Sequence, residues 1–298
     1  MLVVGATGLL GRPVALALQE RGFDVHRASR QVDPSPKSLR LDLSDVDATE
    51  EVLTALRPDV VVQMTGGAVG DPAHLARSNI VPTINLIRAA ARRGEPPSIF
   101  VTGSAAEYGD PGGVLAAEDS TARPLSAYGW MKLAETVTAG ELARLHSLDL
   151  TIIRPFNPVT PELPPSTPLG NFRQQVMSGQ ESTRTIVCGR TDIVRDFISA
   201  QFLGEAVAEL VERRPGGTVN ICSGLGIRLK DVFLAAAALL DVDLELSEDP
   251  TLAGLPAPDS IVGDPDRLYS LIKARSDSSP ESIASALIGP AHSRGEDA

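Results

Sequence analysis

The stretch Leu2-Val3-Val4-Gly5-Ala6-Thr7-Gly8-Leu9-Leu10-Gly11 decides the fold. A short apolar run ends in a turn with glycines at 5, 8 and 11, and the pattern then turns helical from Arg12 to Arg21, closed by Gly22. Such a strand-turn-helix unit lets backbone amides approach a pyrophosphate at the positive end of the helix. A dinucleotide is therefore the expected ligand, cradled by Gly5, Thr7, Gly8, Leu9, Leu10 and Gly11. Phe23 to His26 completes the first β-α-β step. Further strands are expected at Leu39 to Leu41, Val60 to Met64, Ile99 to Thr102, Leu150 to Ile153 and Val219 to Cys222. Helical patterns lie between them near Thr49 to Arg57, His74 to Arg93 and Tyr128 to His146. This alternation predicts an α/β protein with a doubly wound parallel sheet of the Rossmann type.

The regularity breaks between Pro155 and Gly170, where prolines at 155, 158, 161, 164, 165 and 168 exclude helix interior and central strand. Such a segment is a loop over a site or a crossing between domains. Leu169 to Gln180 and Leu229 to Leu240 then look helical, and the polar tail beyond Ser276 is expected to fray. The division expected is a Rossmann domain over 1–157, completed by about 191–224, and a smaller C-terminal α/β substrate-binding domain from 158–190 and 225–298.

With 43% hydrophobic residues, the 298-residue chain can bury a full core. A net charge of −11 argues against nucleic acid or an anionic membrane as partner, while leaving room for local basic sites that bind a phosphorylated ligand. Cys188 and Cys222 form neither a disulfide framework nor a metal-ligand spacing, and the four histidines are scattered, so no metal is implied and a reducing cytoplasm fits. The longest later apolar stretch, Val232 to Leu240, is too short to span a bilayer, and no targeting segment is evident.

Cofactor choice is read at the end of the second strand, where an acidic residue would hold the ribose 2′-hydroxyl of NAD. Ser29 and Arg30 stand there instead. No carboxylate repels a 2′-phosphate, and guanidinium groups at Arg30, with Arg27 or Arg12 as further candidates, could grip one, so NADP (NADPH) is expected, with NAD as the alternative. Asp42, beside Leu43, is a candidate for the adenine edge, and an Asx turn explains it nearly as well. Thr65, after the fourth strand, completes the expected cofactor surface.

Tyr128-Gly129-Trp130-Met131-Lys132 carries the chemistry. A phenol has a pKa of about 10 and becomes a useful acid or base near neutrality only if something favours its anion. Lys132 lies four residues on, on the same helical face, and does that. Ser104 ends the fifth strand at the carboxyl edge, where ligands of open sheets bind, and can hold a substrate oxygen. Ser104, Tyr128 and Lys132 are the expected catalytic set for hydride transfer between a nicotinamide and a carbonyl, with Lys132 also on the nicotinamide ribose.

At this point the chain resembles the extended short-chain dehydrogenases/reductases of the NAD-dependent epimerase/dehydratase family. The resemblance also runs through Leu41-Asp42-Leu43, Pro58-Asp59-Val60-Val61, Asn79 with Thr83, Arg154-Pro155-Phe156-Asn157, Arg195-Asp196-Phe197-Ile198 and Asn220-Ile221-Cys222-Ser223-Gly224. It implies a nucleotide-sugar substrate faced by Ser104, Glu107, Asn157 and Arg195, the last near a diphosphate, and a homodimer built on the two long helices. The residues themselves leave other roles open: Asn157 could bond only backbone in its Pro-rich turn, and Arg195 could pair only with Asp196 or Asp192.

Sugar 4,6-dehydratases carry an Asp-Glu pair directly after the serine or threonine, where this chain has Ala105 and Ala106. Epimerases keep NAD bound, which suits an acidic residue where Ser29 stands. From Arg154 to Gly224 the order of motifs resembles GDP-4-keto-6-deoxy-D-mannose reductases, including Phe172 to Gln175 and Val187 to Gly189. The expected reaction is NADPH-dependent reduction of a nucleotide-linked 4-keto-6-deoxy sugar. A nucleotide-sugar epimerase with tightly bound NAD and a non-catalytic NADP-sensing module are the alternatives. Departures at Pro158-Val159-Thr160-Pro161, Ser199-Ala200-Gln201 and Arg190 leave base and sugar open.

Overall fold

The computed structural model describes residues 1–179, 181–253 and 257–290. The first half runs β1 (Leu2–Val4), α1 (Gly11–Glu20), β2 (His26–Ser29), β3 (Ser38–Arg40), α2 (Val46–Leu56), β4 (Val60–Gln63), α3 (Pro72–Ala91), β5 (Ser98–Thr102), α4 (Ala127–Leu145) and β6 (Leu150–Pro155). The chain continues through β7 (Pro158–Val159), α5 (Pro168–Ser178), β8 (Thr183–Cys188), β9 (Val194–Asp196), β10 (Ile198–Ser199), α6 (Ala200–Arg213) and β11 (Gly217–Ile221). It closes with β12 (Gly226–Arg228), α7 (Leu229–Leu239), β13 (Asp243–Glu248), α8 (Pro250–Ala253), β14 (Ser260–Ile261), α9 (Asp266–Leu271) and α10 (Pro280–Ile288).

Seven strands form one parallel sheet in the order β11-β6-β5-β4-β1-β2-β3. Strand residues alternate between two apolar layers, as a sheet covered on both faces requires. Val3, Val62, Phe100 and Ile153 pack with α1 and α6, and Leu2, Val4, Val61 and Ile99 with α2 and α3. A separate core joins α5, α7 and α10, with Phe172 stacked on Phe233 at a centroid distance of 4.1 Å. Among the described residues, small sheets form in the orders β12-β9-β14, β10-β7 and β13-β8. No described helix is long and apolar enough to cross a membrane.

Three expectations are corrected. The second strand lies at His26–Ser29 rather than Phe23 to His26, because β1 pairs Leu2 with His26 and runs to Val4 with Ala28. That register carries Ser29 to the carboxyl edge. Pro155 does belong to a central strand, as the last residue of β6, paired with Ile221; the next amide, Phe156, donates to Ile221 at 2.9 Å, so the missing proline N–H leaves no gap. The stretch beyond Ser276 does not fray as far as 290. Ser279 caps α10, Pro280 opens it, and Ile283, Ala284, Leu287 and Ile288 are buried in the second core. The helix end expected at Gln180 and the last residues of the tail, 291–298, lie outside the described residues.

Candidate active site

Parallel strands deliver their carboxyl ends to one edge, where Gly5 follows β1, Thr65 follows β4, Ser104 follows β5 and Asn157 follows β6. The glycine loop is closed on itself, with Gly8 N–H donating to Gly5 at 2.9 Å. A Cβ on Gly11 would sit 2.0 Å from the Gly5 carbonyl oxygen, so no side chain fits there. Helix α1 starts at Gly11 without a side-chain cap, although α2, α3 and α4 are capped by Asp45, Asp71 and Ser126. Among the described residues the amides of Leu9, Leu10 and Gly11 have no acceptor. An open turn with free amides at a helix N-terminus fits a dinucleotide pyrophosphate.

At the carboxyl end of β2, Ser29 donates its hydroxyl to the Gln31 carbonyl, and Arg30 is exposed. Arg40 is exposed and stands opposite Ser29 in the β2–β3 register. Sequence reasoning missed Arg40, because only the register brings it there. Among the described residues neither Arg30 nor Arg40 has an ion pair. Arg27, by contrast, is buried and paired with Asp33 at 3.0 Å, so it is not a free cation for a ligand. Asp42 Oδ1 accepts from the Ser44 amide at 2.9 Å and its hydroxyl at 2.7 Å, the Asx turn. Those hydrogen bonds hold its carboxyl below the usual carboxylate range, with Arg30 and Arg40 adding to them. Asn85 pins Leu43 in place through its carbonyl at 2.9 Å, a link the sequence did not reveal. The Thr65 hydroxyl accepts from Gln63 at 3.1 Å.

Just past the carboxyl end of β5, Ser104 caps a short 3-10 turn, Ala105–Glu107. Its hydroxyl oxygen accepts from the Ala106 amide at 3.1 Å, which leaves the hydroxyl proton free to donate elsewhere. Tyr128 is the second residue of α4 and partly exposed. A Cβ on Gly129 would lie 2.5 Å from the Ala106 carbonyl oxygen, so this glycine lets the start of α4 abut the turn that carries Ser104. Lys132 is 2% exposed, its ammonium 2.7 Å from Glu135. Burial alone would pull this lysine down, but Glu135 and then the Tyr128 phenol outweigh it and hold its pKa above the ordinary value.

Glu107 is the expectation the structure overturns. It is wholly buried, and Oε1 accepts from the Ser104 amide at 2.7 Å while Oε2 meets Thr136 at 2.8 Å and Arg154 at 2.9 Å. With both oxygens taken inside the protein, it braces Ser104 rather than facing a substrate. Arg154 also donates to Tyr108 at 2.9 Å, and Tyr108 to Asn220 at 2.7 Å. Burial pushes the Tyr108 phenol up to about 12.

Asn157 sits at φ 34°, and its amide donates to the Asp196 carbonyl at 2.8 Å. Arg195 forms no ion pair among the described residues; its one side-chain bond goes to Val194 at 2.7 Å. Burial, and next the neighbouring Arg190, lower its pKa. Asp192 pairs with Arg190 instead, at 3.0 Å, and Asp196 turns inward to the amides of Ser223, Gly224 and Gly263. A groove of about 1180 Å³ along α1 and α6 touches Thr7 and Gly8 but not Ser104, Tyr128 or Lys132. No cluster of metal-ligating side chains occurs among the described residues.

The model of the NAD dependent epimerase/dehydratase family matches residues 1–222. The chain belongs to that family. It is 26% identical over 226 residues to the GDP-6-deoxy-D-mannose reductase of Pseudomonas aeruginosa, covering 72% of this chain and 74% of the relative. It is 28% identical to the dTDP-6-deoxy-L-talose 4-dehydrogenase (NAD(P)(+)) of Kitasatospora kifunensis over 270 residues, 86% of this chain and 82% of the relative. The fold is that of Thermus thermophilus UDP-glucose 4-epimerase solved with NAD, with a TM-score of 0.81 at 23% identity, over 96% of this chain and 97% of the other.

Proposed function

We propose that this family member reduces a nucleotide-linked 4-keto-6-deoxy sugar to the deoxysugar with NADPH. One observation carries the reading: among the described residues the cleft offers a hydroxyl, a phenol and an ammonium, but no carboxylate beside Ser104 that is free of protein partners. Ala105 and Ala106 follow the serine, and the next carboxylate, Glu107, is consumed inside the protein. Dehydration would need an acid and a base there. The reductase and 4-dehydrogenase relatives, whose names give 6-deoxy sugars, support the substrate class.

The free amides of Leu9, Leu10 and Gly11 would hold the pyrophosphate, and Arg30 and Arg40 a 2′-phosphate. Bound NADPH supplies a hydride equivalent for the ketone carbon. As charge builds on the ketone oxygen, Tyr128 gives it the phenolic proton, and Ser104 donates a hydrogen bond to the same atom. Lys132 favours the phenolate left behind, which regains its proton from water. Arg195, which forms no ion pair among the described residues, is the cation for the substrate diphosphate, with Asn157 in the chain that follows β6. The homodimer face belongs to α3 and α4, where Val81, Trp130 and Val137 are exposed. The expected location is the cytoplasm, and the second domain would close over the sugar.

The test is to incubate the protein with NADPH or NADH and a panel of nucleotide-linked 4-keto-6-deoxy hexoses, following cofactor absorbance. Oxidation of NADPH with at least one of them, lost in Tyr128→Phe, is expected. No oxidation with any, or equal rates in the variant, would sink the reading.

A further inference from the structure

Glu135 is a fully buried carboxylate that the mechanism above does not use. It stands three residues beyond Lys132 on α4, so both side chains share a helical face. Its Oε2 accepts from the Lys132 ammonium at 2.7 Å, and its Oε1 from the Thr83 hydroxyl at 2.7 Å and the Gln63 amide at 3.5 Å. Three elements, β4, α3 and α4, thus converge on one carboxylate, whose pKa burial raises while the Lys132 ammonium and the Thr83 hydroxyl oppose that. The charged groups around Lys132 are Tyr128 and Glu135 on α4 and Glu107 on the 3-10 turn, which Arg154 of β6 neutralises. Among the described residues, α3 and β4 contribute neutral side chains here, Thr83 and Gln63 at Glu135 and Asn79 near the Lys132 ammonium.

We propose that Glu135 is a positioning residue: it fixes Lys132 as an ammonium directed at the Tyr128 phenol and thereby sets the upper pH limit of the proton donor. The inference deepens the ketoreductase reading, on which the sign of its activity profile rests. A lysine this deeply buried is drawn toward its neutral form by the loss of hydration, and the facing carboxylate reverses that. Removing the negative charge lets the buried Lys132 release its proton at lower pH, and the neutral amine no longer favours the phenolate. The active pair, a protonated phenol beside an ammonium, is then lost at lower pH, so the alkaline limb of ketone reduction moves toward neutrality while the phenol itself keeps its proton longer.

The variant is Glu135→Gln in the full chain, which keeps the shape and the acceptor for Lys132. An ultraviolet tyrosinate titration, with Tyr128→Phe as the subtracted background, reads the phenol without substrate. The Tyr128 signal is expected at higher pH in the variant than in wild type, while the alkaline limb of kcat/KM, which also needs the ammonium, should fall by about one pH unit or more, about tenfold in rate beyond it. Glu135→Asp should return part of the shift. A titration and limb unchanged from wild type overturn the proposal. The wild-type protein gives a second reading that needs no variant to fold: carbon NMR of its four lysines, with Lys132→Met for assignment. Lys132 should keep its proton to higher pH than an ordinary lysine, and release at or below the ordinary value contradicts the role. Both titrations stand even if no ketone is turned over, so failure of the substrate reading and failure of Glu135 are told apart.

Discussion

The two ends of the cofactor cleft are built on opposite electrostatic plans. Around Lys132, Glu135, Glu107 and Arg154 every charge is buried, paired and hydrogen-bonded before any ligand arrives. At the other end, Arg30 and Arg40 are exposed cations that form no ion pair among the described residues. A group that must steer a proton has to be fixed in advance in a dry setting, since reorganisation at the moment of reaction adds to the barrier. A group that only holds a phosphate can wait for its partner in water. Substitutions at the buried end should therefore act strongly, and those at the exposed end weakly and with a dependence on salt.

The largest effect is expected for Tyr128→Phe. Loss of the proton donor should lower kcat by roughly 10²- to 10⁴-fold while the binding of NADPH, followed by fluorescence, changes little. Next comes Glu107→Gln, which leaves the Arg154 guanidinium buried without its anion. Breaking such a pair from one side costs about 3–5 kcal/mol, visible as a lower urea midpoint, and adding Arg154→Met should recover most of it. A single variant that unfolds no more readily than wild type would break the contrast.

Tyr108→Phe is milder. It leaves Arg154 and the Asn220 carbonyl short of one partner each, at about 1–3 kcal/mol. It also has a pH signature. The folded phenol titrates at about 12, above the ordinary value of about 10, so its contribution is complete below pH ~10 and lost as pH rises toward 12. Wild type should lose stability across that window more steeply than Tyr108→Phe, as alkaline denaturant titrations would reveal. Smallest is Arg30→Asp. It should raise KM for NADPH more than for NADH by about two- to fivefold at low salt, fading as ionic strength rises. An unchanged preference contradicts the assignment of NADP through this arginine.

The fold was largely legible because its signals are local. Glycines 5, 8 and 11 between an apolar run and a helical pattern specify the first turn, and apolar runs at regular intervals specify the parallel sheet. Order along the chain also placed Tyr128 and Lys132 on α4, while Ser104, expected at the end of β5, caps the turn just beyond it. What the sequence hid depends on pairs far apart. The direction in which Glu107 points follows from Arg154 and Thr136, and Arg40 reaches the Ser29 edge only through strand register. Glu135 resembles any helical glutamate until Thr83 and Gln63 are seen to enclose it. The last helix was misread for another reason. Its cap, Ser279-Pro280, and the spacing of Ile283, Ala284, Leu287 and Ile288 were readable, but the polar run Ser276-Asp277-Ser278-Ser279 outweighed them.

The measurement that bears most directly on the proposed reaction is its stoichiometry. With a nucleotide-linked 4-keto-6-deoxy sugar and limiting NADPH, each mole of sugar alcohol formed should consume one mole of NADPH. Conversion of a nucleotide sugar without net consumption of cofactor would instead mark an epimerase, and would contradict the role assigned to Tyr128 as donor to a product alkoxide.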